Sequence, residues 1–217
     1  AVIFPNSLLD FWQSLNACVE ADCAIIIQAT KTGLTEGSSP SGFDYDRKVV
    51  IINVTRIKKI ILLDGGKQVI ALPGSTLHEL EQELKEINRA PHSVIGSTTI
   101  GATIVGGIAN NAGGALCKRG SSYSELSLFA QVDDNGKLKL VDHLGIKNLG
   151  ETPEEIFSRL ERGDIPIADL GGMDKAASDH EYQNRIRDTV AEVPNRYNAD
   201  PSRLYEVSGS AGKVAAF

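Results

Sequence analysis

Apolar runs and one amphipathic segment alternate over the first quarter of the chain. The segments AVIFP (1–5), AIIIQ (24–28) and VVIIN (49–53) are short and apolar, and the last two are dominated by β-branched residues, which is typical of strands. Between the first two, apolar residues recur at helical spacing after Asn6 or Ser7, either of which is a suitable N-cap. A strand, a helix and a strand at this spacing predict a right-handed βαβ unit with parallel, buried strands.

The pattern then changes to one that favours antiparallel hairpins. Two pairs of strand-like runs flank the tripeptides Asp64-Gly65-Gly66 and Asp134-Asn135-Gly136, which are typical of hairpin turns. A helix is predicted over 75–89, with Ser75 or Thr76 as its cap. A second helix is predicted to follow Thr152 and to stop at Gly163.

These elements place the chain in the α+β class, in two lobes. We expect a small parallel βαβ lobe over 1–54 and a mostly antiparallel lobe over 55–217. The polar stretch 164–203 predicts at most one weak helix, and a Gly/Ser turn then leads into a last strand. The chain starts within one predicted strand and stops at the end of another, so we expect it to be part of a longer protein.

A long polar loop separates the second and third predicted strands. Residues 28–47, QATKTGLTEGSSPSGFDYDR, combine glycines with hydroxyl residues directly after a buried strand. Backbone N–H groups in such a loop can turn inward together and bind a phosphate, and we expect Gly33 and Gly37 to take positive φ there. The alternative is a solvated connection, although loops of about 20 residues are uncommon in compact domains without a function.

A second glycine-rich stretch covers residues 96–114, GSTTIGATIVGGIANNAGG. Small residues between the glycines suit a chain that lies flat against a large ligand, where side chains would intrude. The alternative is a glycine-rich helix that packs against a neighbouring element. We prefer the interpretation as a ligand-binding segment, although the residues alone leave both interpretations open.

Composition and charge limit the kinds of partner that this chain could bind. The chain carries 22 basic and 28 acidic residues, so its net charge of −6 gives no field that would attract nucleic acid. The 3 cysteines are an odd number without a C-x-x-C motif, which favours a reducing compartment. No run of about 18 apolar residues is present, so membrane association would have to come from regions outside this chain.

Catalytic and metal-binding patterns are not evident in the sequence. There is no G-x-x-x-x-G-K-[ST] motif, and no G-x-G-x-x-G motif follows the first strand. His78, His143 and His180 are expected at the surface, and His92 is the one histidine that leads into a glycine-rich stretch. None has metal-ligand spacing with a cysteine or another histidine, so no metal site is predicted and the catalytic residues stay unknown.

Three segments together resemble a known family. QATKTGLTEGSSPSGFDYDRKVVIIN, PHSVIGSTTIGATIVGGIANNAGGALCKRGSSYSELSLFA and PNRYNADPSRLYEVSGSAGKVAAF resemble the quinone-dependent D-lactate dehydrogenases of bacterial respiration. The wider group has the FAD-binding fold shared with vanillyl-alcohol oxidase and p-cresol methylhydroxylase. The resemblance covers nearly the whole chain and implies a two-lobed FAD-binding domain of that type.

The resemblance also implies where FAD lies. The first loop would wrap the pyrophosphate, the second stretch would line the cofactor from the other lobe, and the last strand would lie beside the adenine or ribose. The first loop contains no histidine, so non-covalent FAD is favoured, and covalent attachment through Cys117 is not expected. The implied cofactor-binding residues are Ala29, Thr30, Lys31, Thr32, Gly33, Gly37, Ser38, Gly96, Thr103, Gly113, Val214 and Ala216.

The resemblance implies a respiratory dehydrogenase that oxidises D-lactate to pyruvate and passes electrons to a membrane quinone. It further implies a peripheral protein on the cytoplasmic face of the bacterial inner membrane. The substrate-binding and membrane-binding regions would lie downstream, so this chain alone is not expected to be fully active. The alternatives are another 2-hydroxy-acid or alcohol oxidoreductase of the same fold, or a non-catalytic nucleotide-binding module.

Overall fold

The computed structural model describes most of the chain, and its first sheet is parallel. Strands β1 (Val2–Ile3), β2 (Ala24–Gln28) and β3 (Val49–Asn53) lie in the order β1-β3-β2. Helix α1 (Leu8–Glu20) connects β1 to β2, so the predicted parallel βαβ unit is confirmed. The described residues are 1–91, 98–113, 120–172, 174–175, 177, 181–192 and 206–217.

Burial in this sheet differs between the central strand and the edge strand. β3 lies in the centre and buries Val50, Ile52 and Asn53, as predicted. β2 lies at the edge, and only Gln28 of its five residues is buried, so the expectation of a fully buried strand was wrong there. β2 pairs with β3 on one side only, whereas β3 is flanked by a strand on both sides.

Helix α1 shows why this segment is helical. The Ser7 side chain accepts a hydrogen bond from the Asp10 N–H, which caps the first turn. Leu8, Phe11 and Leu15 then recur on one face and are almost completely buried. Burying a side chain of this size contributes about 1.5–3 kcal/mol, so this face fixes the helix on the core.

The rest of the chain builds two antiparallel sheets. β4 (Ile60–Leu63) pairs with β5 (Gln68–Ala71) across a 3₁₀ turn at Asp64–Gly66. In the second sheet β6 (Leu128–Val132) is flanked by β7 (Leu138–Asp142) and β8 (Ala215–Ala216). Both predicted hairpins are therefore confirmed, and so is the terminal strand.

The helices α2 and α4 begin where their caps predict, α4 also ends as predicted, and α2 ends at Glu86 rather than at residue 89. α2 begins after Thr76 and α4 after Thr152, and in each a threonine and a glutamate three residues later form a reciprocal capping box. Gly163 ends α4 with φ 75°, in the left-handed region that glycine favours. The remaining helices are short. The bounds are α2 (Leu77–Glu86), α3 (Ile104–Ala109), α4 (Pro153–Arg162) and α5 (Tyr182–Arg185), with 3₁₀ turns at Thr98–Ile100 and Ile167–Asp169.

The main core joins the parallel and antiparallel regions. The Phe217 ring stacks on Phe157 of α4 at 4.8 Å and lies 4.8 Å from the ring of Phe11 in α1. The Leu8 N–H also donates to Glu161 Oε1 at 2.6 Å, which ties the start of α1 to the end of α4. The two regions are therefore held by one continuous core.

A smaller apolar cluster holds the second glycine-rich stretch. Leu77, Leu80 and Leu84 of α2 pack there with Ala102 and Ile104. Backbone bonds reinforce this contact, because the Leu77 N–H donates to the Ala102 carbonyl at 2.9 Å. The start of α3 is thereby fixed beside the start of α2.

Candidate functional site

The first Gly-rich loop, here residues 29–48, leaves the carboxyl end of β2 and returns to β3. In open sheets with parallel strands, ligands bind in the crevice outside the carboxyl ends of the strands. The loop backbone takes positive φ at Lys31 (57°), Glu36 (56°) and Gly42 (74°). Gly33 and Gly37 do not have positive φ, so that expectation was wrong; the neighbouring residues Lys31 and Glu36 make the reversals instead.

The space beside Gly33 and Gly37 is open. A Cβ added to Gly33 would meet no protein atom within 4 Å, and one added to Gly37 would meet only the Thr35 hydroxyl, at 3.9 Å. Neither the backbone conformation nor a protein neighbour therefore requires glycine at these positions. Close approach of a ligand to the backbone would require it, which fits a phosphate-containing group.

The polar groups of the loop also suit an anion. The hydroxyls of Thr30 and Thr32 make none of the hydrogen bonds described for the loop, and both residues are half-buried. Lys31 is exposed and takes part in none of the described ion pairs. These donors and this charge remain available to a phosphate in a protein whose net charge is −6.

The charged residues at the far end of the loop are already paired. Arg47 contacts Asp22 at 2.8 Å and Asp46 at 2.9 Å. The hydrogen bond from Arg47, together with its charge, lowers the pKa of Asp46. This cluster links the end of the loop to Asp22, and its two carboxylates and one guanidinium carry a net negative charge, which would not attract an anion.

Two buried amides at the strand ends hold the loop. Gln28 and Asn53 face each other in register, and Asn53 Nδ2 donates to Gln28 Oε1 at 2.9 Å. Asn53 Nδ2 also donates to the Ala29 carbonyl at 3.2 Å, and Gln28 Nε2 donates to the Ser38 carbonyl at 2.7 Å. The loop is thus fixed at its first residue and near its middle.

The second Gly-rich segment, here the described residues 98–113, is built differently. Thr103 caps α3, and its side chain accepts a hydrogen bond from the Gly106 N–H at 3.2 Å. Thr76 and Thr103 form an antiparallel bridge, which brings the starts of α2 and α3 side by side. Part of the segment is therefore a glycine-containing helix, as the alternative interpretation held, and its capped end turns toward α2.

The two segments meet at Thr30 and Gly101. A Cβ on Gly101 would lie 4.0 Å from Thr30 Cγ2, so the first loop and the turn before α3 are neighbours. Gly101 has φ 95°, a conformation that side chains rarely adopt. The structure thus brings together part of both stretches that the sequence singled out.

The other candidate residues lie at varied distances from this meeting point. Gly113 is half-buried and follows α3. Val214 precedes β8, and Ala216 belongs to this strand, which pairs with β6. Ala215 of β8 is part of the main core, and Ala29 packs against the same core. Gly96, His92, Gly114, Cys117 and His180 lie outside the described residues.

Among the residues that the structure describes, no catalytic group is evident near the two segments. His78 is exposed on α2, and His143 Nδ1 contacts a carboxylate oxygen of Glu206. In the described ranges, no three His, Cys, Asp or Glu side chains converge to hold a metal ion. Nor does any helix of those ranges have both the length and the apolar character that a membrane span requires.

Comparison with known proteins identifies the class of this site. The model of the FAD-binding domain family matches residues 1–141, a range that includes both Gly-rich segments. The chain belongs to this family, and FAD is its cofactor. The residues around the first loop fit such a group, because they offer donors and open space at the carboxyl end of a parallel sheet.

The curated relatives are more specific. The chain is 55% identical, over its whole length, to a quinone-dependent D-lactate dehydrogenase of Escherichia coli. It is 52% identical to the protein of the same name in Haemophilus influenzae and 43% identical to that in Corynebacterium glutamicum. The chain spans 38% of the length of each of these relatives.

Solved structures agree on the fold. Cholesterol oxidase from Brevibacterium sterolicum aligns with 64% of this chain and 28% of its own, with a TM-score of 0.54 and 22% identity. Alkyldihydroxyacetonephosphate synthase aligns with 72% of this chain and 28% of its own, with a TM-score of 0.53 and 17% identity. The vanillyl-alcohol oxidase type of FAD-binding fold is thereby confirmed.

Gln28 and Asn53 are the site residues that the sequence analysis missed. Each closes a run of β-branched residues with an amide, and both runs were read only as strands. A polar residue at the same end of two parallel strands was the available signal. Their pairing could not be inferred from it, because strand register is not visible in the sequence.

Proposed function

We propose that this chain is the FAD-binding portion of a respiratory dehydrogenase that oxidises D-lactate to pyruvate with a quinone as acceptor. The carrying observation is the contact of the two Gly-rich segments at Thr30 and Gly101, beside glycines that face open space. The identity of 55% over the whole chain to a quinone-dependent D-lactate dehydrogenase supports the substrate and the acceptor.

In this proposal the first loop holds the pyrophosphate of FAD. Thr30, Thr32 and Ser38 offer polar groups, Lys31 offers charge, and Gly33 and Gly37 allow close approach of the backbone. Thr103 and the glycines beside it line the cofactor from the other side. The remaining proposed contacts are Ala29, Gly96, Gly113, Val214 and Ala216.

The lobes and the mode of attachment complete the site. We divide the chain into a parallel lobe over 1–54, which carries the pyrophosphate loop, and an antiparallel lobe over 55–217. The first loop has no histidine, so FAD binds without a covalent bond. Bound FAD would supply a two-electron acceptor, and the chain's own residues bind and orient it.

The proposed reaction moves two electrons and two protons. D-lactate loses them to become pyruvate, and the quinone gains them to become a quinol. The substrate carboxylate needs a cation and its hydroxyl needs a base, and no described residue near the two segments offers that pair. Those groups, and the surface for the cytoplasmic face of the inner membrane, belong to the part of the protein outside this chain.

The test uses the full-length protein together with this chain. The purified protein should show a flavin spectrum, and acid precipitation should release the flavin into solution, as non-covalent binding requires. The full-length protein should reduce a soluble quinone with D-lactate far faster than with L-lactate or glycolate. A colourless protein that does not acquire a flavin spectrum with added FAD would refute the proposal, and a preference for another substrate would refute its specificity.

A further inference from the structure

The buried amides Gln28 and Asn53 do more than fill the end of the sheet. We propose that they are positioning residues for the first Gly-rich loop. Their side chains form a directional hydrogen-bond relay that sets the place of Ser38 and so the affinity of the loop for the pyrophosphate of FAD. The inference rests on the proposed function for the identity of the ligand.

The pair is buried and bonded. Gln28 is 8% exposed and Asn53 is 6% exposed, in a part of the molecule where apolar side chains dominate. Burying an amide is unfavourable unless its donors and acceptors are satisfied. Asn53 makes two bonds through Nδ2 and accepts two through Oδ1, from the N–H and the hydroxyl of Thr55. A buried network that is satisfied in this way specifies one arrangement.

The direction of every bond follows from one backbone group. The Thr55 N–H can only donate, so it requires Asn53 Oδ1 at 3.1 Å and turns Asn53 Nδ2 toward Gln28. Gln28 must then present Oε1 to Asn53. Its Nε2 is therefore left to donate to the Ser38 carbonyl, at 2.7 Å.

The bond to Ser38 matters because the loop has few other anchors near its middle. The bonds described inside the loop are local, such as Glu36 N–H to the Gly33 carbonyl at 3.3 Å and Ser39 N–H to the Glu36 carbonyl at 2.9 Å. Gln28 reaches a residue ten positions further along the chain. A loop that is already held in its bound shape loses less entropy when the ligand binds.

The relay also sets the first loop relative to the second Gly-rich segment. Thr55 belongs to a turn in which the Ile57 N–H donates to the Val54 carbonyl at 3.0 Å. A Cβ on Gly74 would lie 2.5 Å from that carbonyl oxygen, so Gly74 packs directly against the turn. Ser75 follows, and its carbonyl accepts from the Ile104 N–H of α3 at 3.0 Å.

One substitution can reverse the direction of the hydrogen bonds while the side chain at position 53 keeps its shape. In Asn53→Asp the introduced carboxylate still accepts from Thr55 but cannot donate to Gln28. Gln28 must then rotate its amide to donate to the carboxylate, which places its oxygen against the Ser38 carbonyl. The relay therefore predicts that a change at position 53 loosens the loop at position 38.

The experiment measures FAD affinity in the full-length protein after removal and return of the cofactor. We expect Asn53→Asp to weaken FAD binding by about tenfold at neutral pH, the size of one lost hydrogen bond. Protonation of the introduced carboxyl restores a donor toward Gln28, so affinity should recover as the pH is lowered through the pKa of that group. Asn53→Leu should weaken binding without this recovery. Asn135→Asp, the same change in the exposed turn between β6 and β7, is the control.

A second readout needs no cofactor. Trypsin cleavage after Lys31 in the FAD-free protein should be faster in Asn53→Asp and in Gln28→Met than in the unchanged protein, because both lose the tie to Ser38. Gln28→Met removes both bonds of the Gln28 side chain, to Asn53 and to Ser38, but introduces no buried charge, so it serves if Asn53→Asp does not fold. If the unchanged protein binds FAD and these variants bind it with equal affinity, the positioning role of Gln28 and Asn53 is overturned. The proposed function would not be affected by that result. Failure of the unchanged protein to bind FAD would overturn the proposed function and this inference together.

Discussion

In the first Gly-rich loop the glycines at positions 33 and 37 face open space, whereas Gly106 of the second segment and Gly74 before α2 lie close against protein atoms. A Cβ on Gly33 would meet nothing within 4 Å, but one on Gly74 would lie 2.5 Å from the Val54 carbonyl oxygen. One on Gly106 would lie 2.6 Å from the Thr103 hydroxyl. The same residue type thus leaves open space in one region and allows close packing of the protein in the other.

The two regions also differ in how they are held. The second segment is fixed by backbone bonds, such as Leu77 N–H to the Ala102 carbonyl at 2.9 Å, and by an apolar cluster under α2. The first loop is fixed to the sheet by the side chains of Gln28 and Asn53. Changes in the second region should therefore act first on stability, and changes in the first loop should act first on the cofactor.

The largest expected effect is on stability, at Gly74. Gly74→Val would place side-chain atoms against the carbonyl oxygens of Val54 and Ile57, which its Cβ alone would approach to 2.5 and 2.8 Å. We expect the free energy of unfolding to fall by about 3 kcal/mol or more, the upper end of the cost of overpacking. Urea denaturation monitored by circular dichroism would measure it. A stability equal to that of the unchanged protein would contradict the distinction between the two regions.

The next effect is on the cofactor, at Gly33. The Cβ of Gly33→Val would have no protein atom within 4 Å apart from its chain neighbours, and position 33 has no positive φ, so we expect little change in the stability of the FAD-free protein. FAD affinity should fall by at least about tenfold, or about 1.4 kcal/mol, because the new side chain occupies the space proposed for the pyrophosphate. Flavin fluorescence titration measures this. Thr35→Val, a change to the same side chain two residues away, is the control, and equal affinity in Gly33→Val would show that the loop is only a connection.

The main helices and strands could be predicted from the sequence because each of them carries a local signal. Thr152, Pro153 and Gly163 mark the ends of α4, and the turn around Gly136 with φ 75° joins β6 to β7 as predicted. Hydrophobic periodicity and turn residues act over a few positions, so they survive in a single sequence. Strand order does not, and the placement of β3 between β1 and β2 came only from the structure.

The site was readable only in part. Glycine content identified the two segments, but the choice between ligand and packing depends on what surrounds each glycine. Positive φ was expected at Gly33 and Gly37 and is found at Lys31 and Glu36, because exposed polar residues in a loop can also make such reversals. Gln28 and Asn53 were missed because their role depends on register and on a bond across the loop.

A smaller effect separates two helix caps of the same kind. Thr103 caps α3 beside the proposed cofactor site, and Thr152 caps α4, which packs in the main core. The Thr103 hydroxyl accepts a hydrogen bond from the Gly106 N–H at 3.2 Å, and the Thr152 hydroxyl accepts one from the Glu155 N–H at 3.3 Å. Thr103→Ala and Thr152→Ala should each lower the free energy of unfolding by about 1 kcal/mol. Only Thr103→Ala should also weaken FAD binding, as measured by the same titration. Equal FAD affinity in both variants would remove Thr103 from the proposed site.

The smallest effect concerns the pH dependence of stability at the start of α2. Burial acts to raise the pKa of Glu79, but hydrogen bonds from Thr76 and Lys58 outweigh it, so the pKa in the folded protein is lowered. A lowered pKa means that the carboxylate stabilises the fold above its unfolded pKa of about 4.3, and that this contribution is lost as the pH falls through the folded pKa.

Melting temperatures of the FAD-free protein between neutral pH and pH 3 would measure this contribution. The unchanged protein should lose more stability on acidification than Glu79→Gln, and the two should converge at the lowest pH. Asp46→Asn in the first loop, where the carboxylate pairs with Arg47 in solvent, should follow the unchanged protein closely because exposed ion pairs contribute little. If Asp46→Asn reduced the loss of stability on acidification more than Glu79→Gln does, the first loop would contribute to stability as the second region does. That result would contradict the difference drawn between the two regions.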